Sequence, residues 1–276
     1  MNNSSKQNLA FTLLELLVVL ATLAILAVTV IPALARTGPT AARLNCAANL
    51  KQIGLAFQNW RNTHANAYPM TVLNSAGGPP VGATTLAAQA AANGPNTAPL
   101  AYTVFGVMSN ELSTPKIVTC PSDERTAQSN FTMHLITVTI PQLAQLSSTG
   151  TIDTDPPYFN NWRLSYFLGV NASDSHPQML LAGDRNIQGF YNNTTSPANV
   201  NGYGNANATE AAMGTNWGAA TVNYPAWSPS KMHQGKGNVL LADGSVQQLD
   251  SVRLRQQLST TRDTTLTPGP NTLLFP

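Results

Sequence analysis

From Phe11 to Ala35 the chain runs through 25 residues with one charge, Glu15. At 1.5 Å per residue such a run crosses a hydrocarbon core of about 30 Å. It therefore predicts a transmembrane helix. The pattern changes after Arg36. Gly38-Pro39 permits a kink. Cys46, Leu50, Ile53, Phe57 and Trp60 then recur at spacings of four, three, four and three. That is one apolar face of an amphipathic helix, with Asn45, Asn49, Lys51, Gln52 and Gln58 over much of the remainder. The two segments read as one helix from about residue 11 to 62, its outer half lying against a sheet.

Beyond residue 63 the periods shorten. Asn238 to Ala242 is an apolar run, Asp243-Gly244 a hairpin signal, and Ser245 to Leu249 alternates as a returning strand. A two-residue type I′ turn is the expected connection. Leu164 to Val170, Met179 to Ala182 and Phe131 to Ile140 are further strand candidates. Residues 74–99 are of low complexity, with a short helix expected at Thr85 to Ala92. Residues 187–230 are rich in Asn, Gly and Thr and carry Trp217, Tyr224 and Trp227. Loops of that length are functional or mobile. The fold class is α+β.

Composition narrows the function. Only 9% of residues are charged and the net charge is +2, with no Lys/Arg block, so nucleic acid is not an expected partner. Two cysteines, Cys46 and Cys120, cannot make a four-thiolate metal site. They allow one disulfide closing a loop of about 75 residues, or two buried free thiols. The four histidines have no HExxH spacing, and GxSxG, Walker A and GxGxxG are absent. No catalytic residues and no enzymatic activity are expected. Asp184 with Arg185, and Asp123 with Glu124 and Arg125, read as turn and ion-pair residues. His233 reads as a loop brace. No cofactor is expected; Asp123, Asp184 and Asp243 are weak donors for a structural Ca²⁺, at spacings unlike a calcium loop.

A carboxylate near the start of an apolar helix needs a reason, because burying it is expensive unless it is paired. A secretory signal peptide explains Pro32 before Ala33-Leu34-Ala35 but leaves the run too long. A plain anchor lets Glu15 snorkel. The stretch Ala10-Phe11-Thr12-Leu13-Leu14-Glu15 resembles the processing site of type IV pilins and type II secretion pseudopilins. That resemblance implies cleavage between Ala10 and Phe11 by a prepilin peptidase, methylation of the Phe11 amine, and Glu15 and Pro32 as assembly residues. Ala10 departs from the family, which normally has Gly there. Glu15 of one subunit would pair with a neighbour's amine and set the register of polymerisation.

Downstream, "NLKQIGLAFQNWRNTHANAYPM", "TCPSDE", "LLAGDRN" and "MHQGKGNVLLADGSVQQL" are similar to blocks of the planctomycete-like DUF1559 type of pilin-like protein. His233, Asp243 and Gly244 match its His-x9-Asp-Gly signature. The resemblance implies a type IV pilin-like fold: one long N-terminal helix, transmembrane then amphipathic, packed on an antiparallel β-sheet head with long loops. The expected divisions are a leader at 1–10, a transmembrane part at 11–35, a stem at 36–63 and a head at 64–276. It implies a filament subunit of a pilus or pseudopilus, with itself, other pilins and an inner-membrane assembly platform as partners. Its place would be a single-pass inner-membrane protein, then a filament at the cell surface. The alternative is a membrane-anchored surface module binding glycan or another macromolecule through 187–230.

Overall fold

The computed structural model describes residues 12–72, 74–79, 101–132, 159, 161–189, 209–215, 225–265 and 270–276, with the side chains of 29–39, 74, 209 and 210 excepted. The chain divides into two compact units, Met1–Ala41 and Ala42–Pro276. Helix α1, Leu13–Thr63, has backbone in both.

In the first unit α1 begins with a capping box, in which cap and third-residue side chains satisfy each other's free N–H groups. Thr12 N–H and Thr12 Oγ1 donate to Glu15 Oε2 at 3.0 and 2.9 Å, and Glu15 N–H donates to Thr12 Oγ1 at 3.3 Å. Every described side chain from Thr12 to Val28 is exposed.

Two expectations are corrected here. Among the described residues no helix is long and apolar enough to cross a membrane. This overturns the single long N-terminal helix with a transmembrane first half, and with it the single-pass inner-membrane location. Nor is α1 one packing element, because its residues divide between the units after Ala41. The architecture is instead a mixed helix-and-sheet fold around an antiparallel six-stranded sheet.

In the second unit the stripe Cys46, Leu50, Ile53, Phe57 and Trp60 is buried. Short helices α2 (Ala101–Val107) and α3 (Ser109–Leu112) follow. The strands are β1 (Tyr166–Gly169), β2 (Leu180–Asp184), β3 (Ile187–Gln188), β4 (Thr209–Ala212), β5 (Ala226–Trp227), β6 (Lys236–Leu241), β7 (Val246–Asp250) and β8 (Thr272–Phe275). The main sheet runs β4-β8-β1-β2-β6-β7, so the last strand slots between β4 and β1; β3 and β5 pair separately.

Side chains alternate across a strand, and here both faces are covered. Tyr166, Leu168, Ala182, Leu240 and Leu274 join the stem residues in one core. Phe167, Val239, Leu241, Leu273 and Phe275 join Leu254 and Leu258 in the other. Those two leucines belong to α4, Ser251–Thr260, whose Asp250 cap accepts from Arg253 N–H at 2.8 Å. Double burial explains why the strands read as continuous apolar runs. Gly54 lets α1 lie close on β6: a Cβ there would sit 2.9 Å from Leu240 Cδ1.

The β6–β7 hairpin differs from the type I′ expectation. Gly244 has φ +79°, whereas Asp243 is not at positive φ. Gly244 N–H donates to Leu241 O and Leu241 N–H to Ser245 O, both at 2.9 Å. This is a three-residue loop ending in a left-handed glycine. The helix expected at Thr85 to Ala92, most of the strand at Phe131 to Ile140, and the leader including Ala10 and Phe11 lie outside the described residues.

Candidate functional site

Three of the sequence blocks converge on one buried cluster beside the stem. Cys120 follows the 3-10 turn Pro115–Val118, and Cys46 faces it from α1. The two are joined as a disulfide, with Cα atoms 5.1 Å apart. Cys120 also opens a turn: Asp123 N–H donates to its carbonyl at 2.9 Å and Ser122 N–H to its sulfur at 3.4 Å.

That turn aims Asp123 at Arg185. Arg185 Nε donates to Asp123 Oδ2 and Nη2 to Oδ1, each at 2.8 Å. Both side chains are 1% exposed. The ion pair is thus made across two blocks, with Arg185 taking Asp123 rather than its neighbour Asp184. Burial pushes the Asp123 carboxyl up. Hydrogen bonds and charge from Arg185, with Ser165 and Arg125, outweigh it, and the net shift is downward. At the rim, Glu124 accepts from Lys231 Nζ at 3.0 Å.

Asp184, at the end of β2, turns the other way. Its Oδ2 accepts from Asn238 N–H at 2.6 Å and Asn238 Nδ2 at 2.9 Å, and lies 3.2 Å from His233 Nε2. The same Nε2 is 3.5 Å from Cys120 Sγ. His233 is carried by a tight turn in which Met232, Gln234 and Gly235 all have positive φ. Two non-glycine residues in that region are uncommon, and such strain persists only where the surroundings enforce it. Tyr166 donates to Cys46 O at 3.4 Å beneath the disulfide. Its phenol is pushed well above its ordinary value, by burial first and then by the charge of Asp184.

Asp184 Oδ1 and Asn238 Oδ1 are buried without a hydrogen-bond partner. Asn238 was missed in the sequence. Its signal was an amide inside an otherwise apolar strand. Asp263 was also missed; it accepts from Asn171 Nδ2, Thr265 N–H and Asn271 N–H at 2.8, 2.9 and 2.6 Å and so ties the start of β8. Its carboxyl is raised by burial, but the hydrogen bond from the Thr265 hydroxyl, at 2.6 Å, together with those bonds lowers it overall.

Other singled-out residues lie apart. Asp243 Oδ1 accepts Ser245 N–H in its own turn at 2.8 Å, and Gly244 O accepts Lys51 Nζ at 2.8 Å. The His-x9-Asp-Gly block therefore has two ends with separate roles. Asp123, Asp184 and Asp243 each hold a different partner. Among the described residues, the group of His, Cys and acidic side chains placed to share an ion is Cys46, Cys120 and His233. Glu15 caps α1, and Pro32 lies in the α1 backbone with its side chain outside the described set. Most of 187–230, with Trp217 and Tyr224, is also outside it; Trp227 is buried in β5.

The cluster can lock the stem to the sheet, and its sulfurs and imidazole are the types that bind soft cations. Compared with known proteins, the chain matches no family model, no curated protein and no solved structure.

Proposed function

We propose that the chain is a structural, pilin-like subunit that assembles with copies of itself through the first part of α1. The observation that carries this reading is the exposed apolar surface from Leu13 to Val28, where eleven large aliphatic side chains stand open to solvent. An amphipathic helix shows one apolar stripe. A helix apolar all round belongs inside a larger assembly. Burying a Leu, Val or Ile side chain contributes about 1.5–3 kcal/mol, so covering half of these contributes on the order of 10 kcal/mol. Equivalent helices of neighbouring copies are the matching cover. The resemblance of Ala10 to Glu15 to a prepilin processing site supports the same reading.

Glu15 separates this proposal from a plainer one. Its carboxylate caps its own helix through Thr12. Glutamine fills the same place in a capping box. Glu15→Gln therefore keeps the cap and removes the charge, while Glu15→Ala removes both. If Glu15 pairs with a neighbour's Phe11 amine, both variants are lost from sheared filaments. Filaments with as much Glu15→Gln as wild-type subunit would show that the residue is only a cap. N-terminal sequencing, with Phe11 first in every variant, controls for processing.

A further inference from the structure

We propose that, with its disulfide open, the buried cluster is a binding site for a divalent cation of the zinc class, held by Cys46 Sγ, Cys120 Sγ and His233 Nε2, with the Asp184 carboxylate as a buried charge beside His233. The three nitrogen and sulfur atoms lie within 4.8 Å of one another and all three residues are buried.

The distances suit a tetrahedral ion. Zn–S of about 2.3 Å and Zn–N of about 2.0–2.1 Å put neighbouring S and N ligands about 3.5 Å apart. His233 Nε2 and Cys120 Sγ are 3.5 Å apart. Asp184 Oδ2 lies 3.2 Å from the same nitrogen and puts a negative charge beside it. The two sulfurs would have to part to about 3.8 Å, a movement of under 2 Å from bonded contact.

A second observation points to a ligand. Asp184 Oδ1 is buried and has no hydrogen-bond partner. A buried carboxylate with an unpaired oxygen is costly, and positive charge held beside it would offset that cost. The strained turn at Met232, Gln234 and Gly235 holds the imidazole toward the sulfurs, as a ligand-positioning turn does.

The steps balance with a small dithiol as reductant. It gives two electrons and two protons to the Cys46–Cys120 bond and leaves as its own disulfide. The cation then displaces one proton from each thiol to solvent. Cation and disulfide use the same sulfurs, so each excludes the other. Before oxidation the ion would hold the stem against the head where the disulfide later does. None of this depends on filament assembly.

The test uses the full chain, reduced anaerobically with a phosphine and titrated with Co²⁺ as a coloured probe. The expected result is one Co²⁺ per chain with tetrahedral d–d bands and a thiolate charge-transfer band, displaced by Zn²⁺ and absent from the oxidised chain. Cys46→Ser should lower the charge-transfer intensity by about half, and His233→Ala should weaken binding at least tenfold. Each variant's fold is checked by circular dichroism; His233→Ala is first isolated with its disulfide closed. A reduced wild-type chain without the thiolate band, folded or not, overturns the proposal. So does an octahedral spectrum, or equal affinity in His233→Ala.

Discussion

Replacing both cysteines with alanine tests how the stem is held. The bond closes a loop with 74 residues of sequence separation. In the chain-entropy treatment, loss of such a closure releases about 4 kcal/mol of unfolded-state freedom. The unit it serves, Ala42–Pro276, falls in the size range where 1 kcal/mol moves Tm by about 2–4 °C. The Cys46→Ala/Cys120→Ala chain should therefore melt about 8–16 °C below wild type, followed by far-UV circular dichroism without reductant. Reductant should lower wild type toward the variant and leave the variant unmoved. Non-reducing peptide mapping of wild type should recover the two cysteines in one cross-linked pair. A Tm shift below about 3 °C, with the cross-link present in wild type, would refute the reasoning. It would mean that the apolar stripe alone confines the stem.

Arg185→Met should destabilise the head by about 3–5 kcal/mol in urea unfolding, because it strands the buried Asp123 carboxylate; Asp123→Asn in the same chain should recover part of that loss, whereas additive losses would rule out coupling. Asp123 and Asp263 both have carboxyls lowered in the folded state. Their stabilisation is therefore complete above the ordinary carboxylate value of about 4 and is lost as pH falls through the folded-state value. Stability should be level near neutrality and decline under acid, and Asp263→Asn should make that decline shallower; an unchanged slope would contradict the assignment.

Much of the head was legible because its signals are local. The stripe from Cys46 to Trp60 follows from a 3.6-residue period, and the cores require it. The run at 164–170 holds β1, and those at 179–182 and 238–249 overlap β2 and the β6–β7 hairpin, which extend one to two residues beyond them. The turn type was not legible, because Asp-Gly fits both a two-residue loop and the three-residue loop observed. Nor was β8, whose place between β4 and β1 depends on contacts 60 or more residues apart in sequence. The apolar start misled for a different reason. Counting apolar residues assumes that the whole run acts as one membrane segment, whereas among the described residues no helix is long and apolar enough to cross a membrane. The site was visible only as fragments: "TCPSDE", "LLAGDRN" and His233 each suggested turns, but no spacing rule pairs Arg185 with Asp123 or puts His233 beside Cys120.

What the cluster adds to an already apolar interface is register. A stripe of Leu, Ile, Phe and Trp packs nearly as well after sliding one helical turn, because the same residue types recur every three or four positions. Polar contacts do not slide. Asn49 Nδ2 donates to Thr119 O at 3.2 Å, Lys51 Nζ to Gly244 O, and Arg43 Nη2 to Gly237 O at 3.2 Å. Asn238 Nδ2 reaches Arg43 O at 3.4 Å and Tyr166 reaches Cys46 O. A shift of one turn, about 5.4 Å, breaks all of these and separates Cys46 from Cys120. Buried polar groups that contribute little net stability can still decide which of several packings forms.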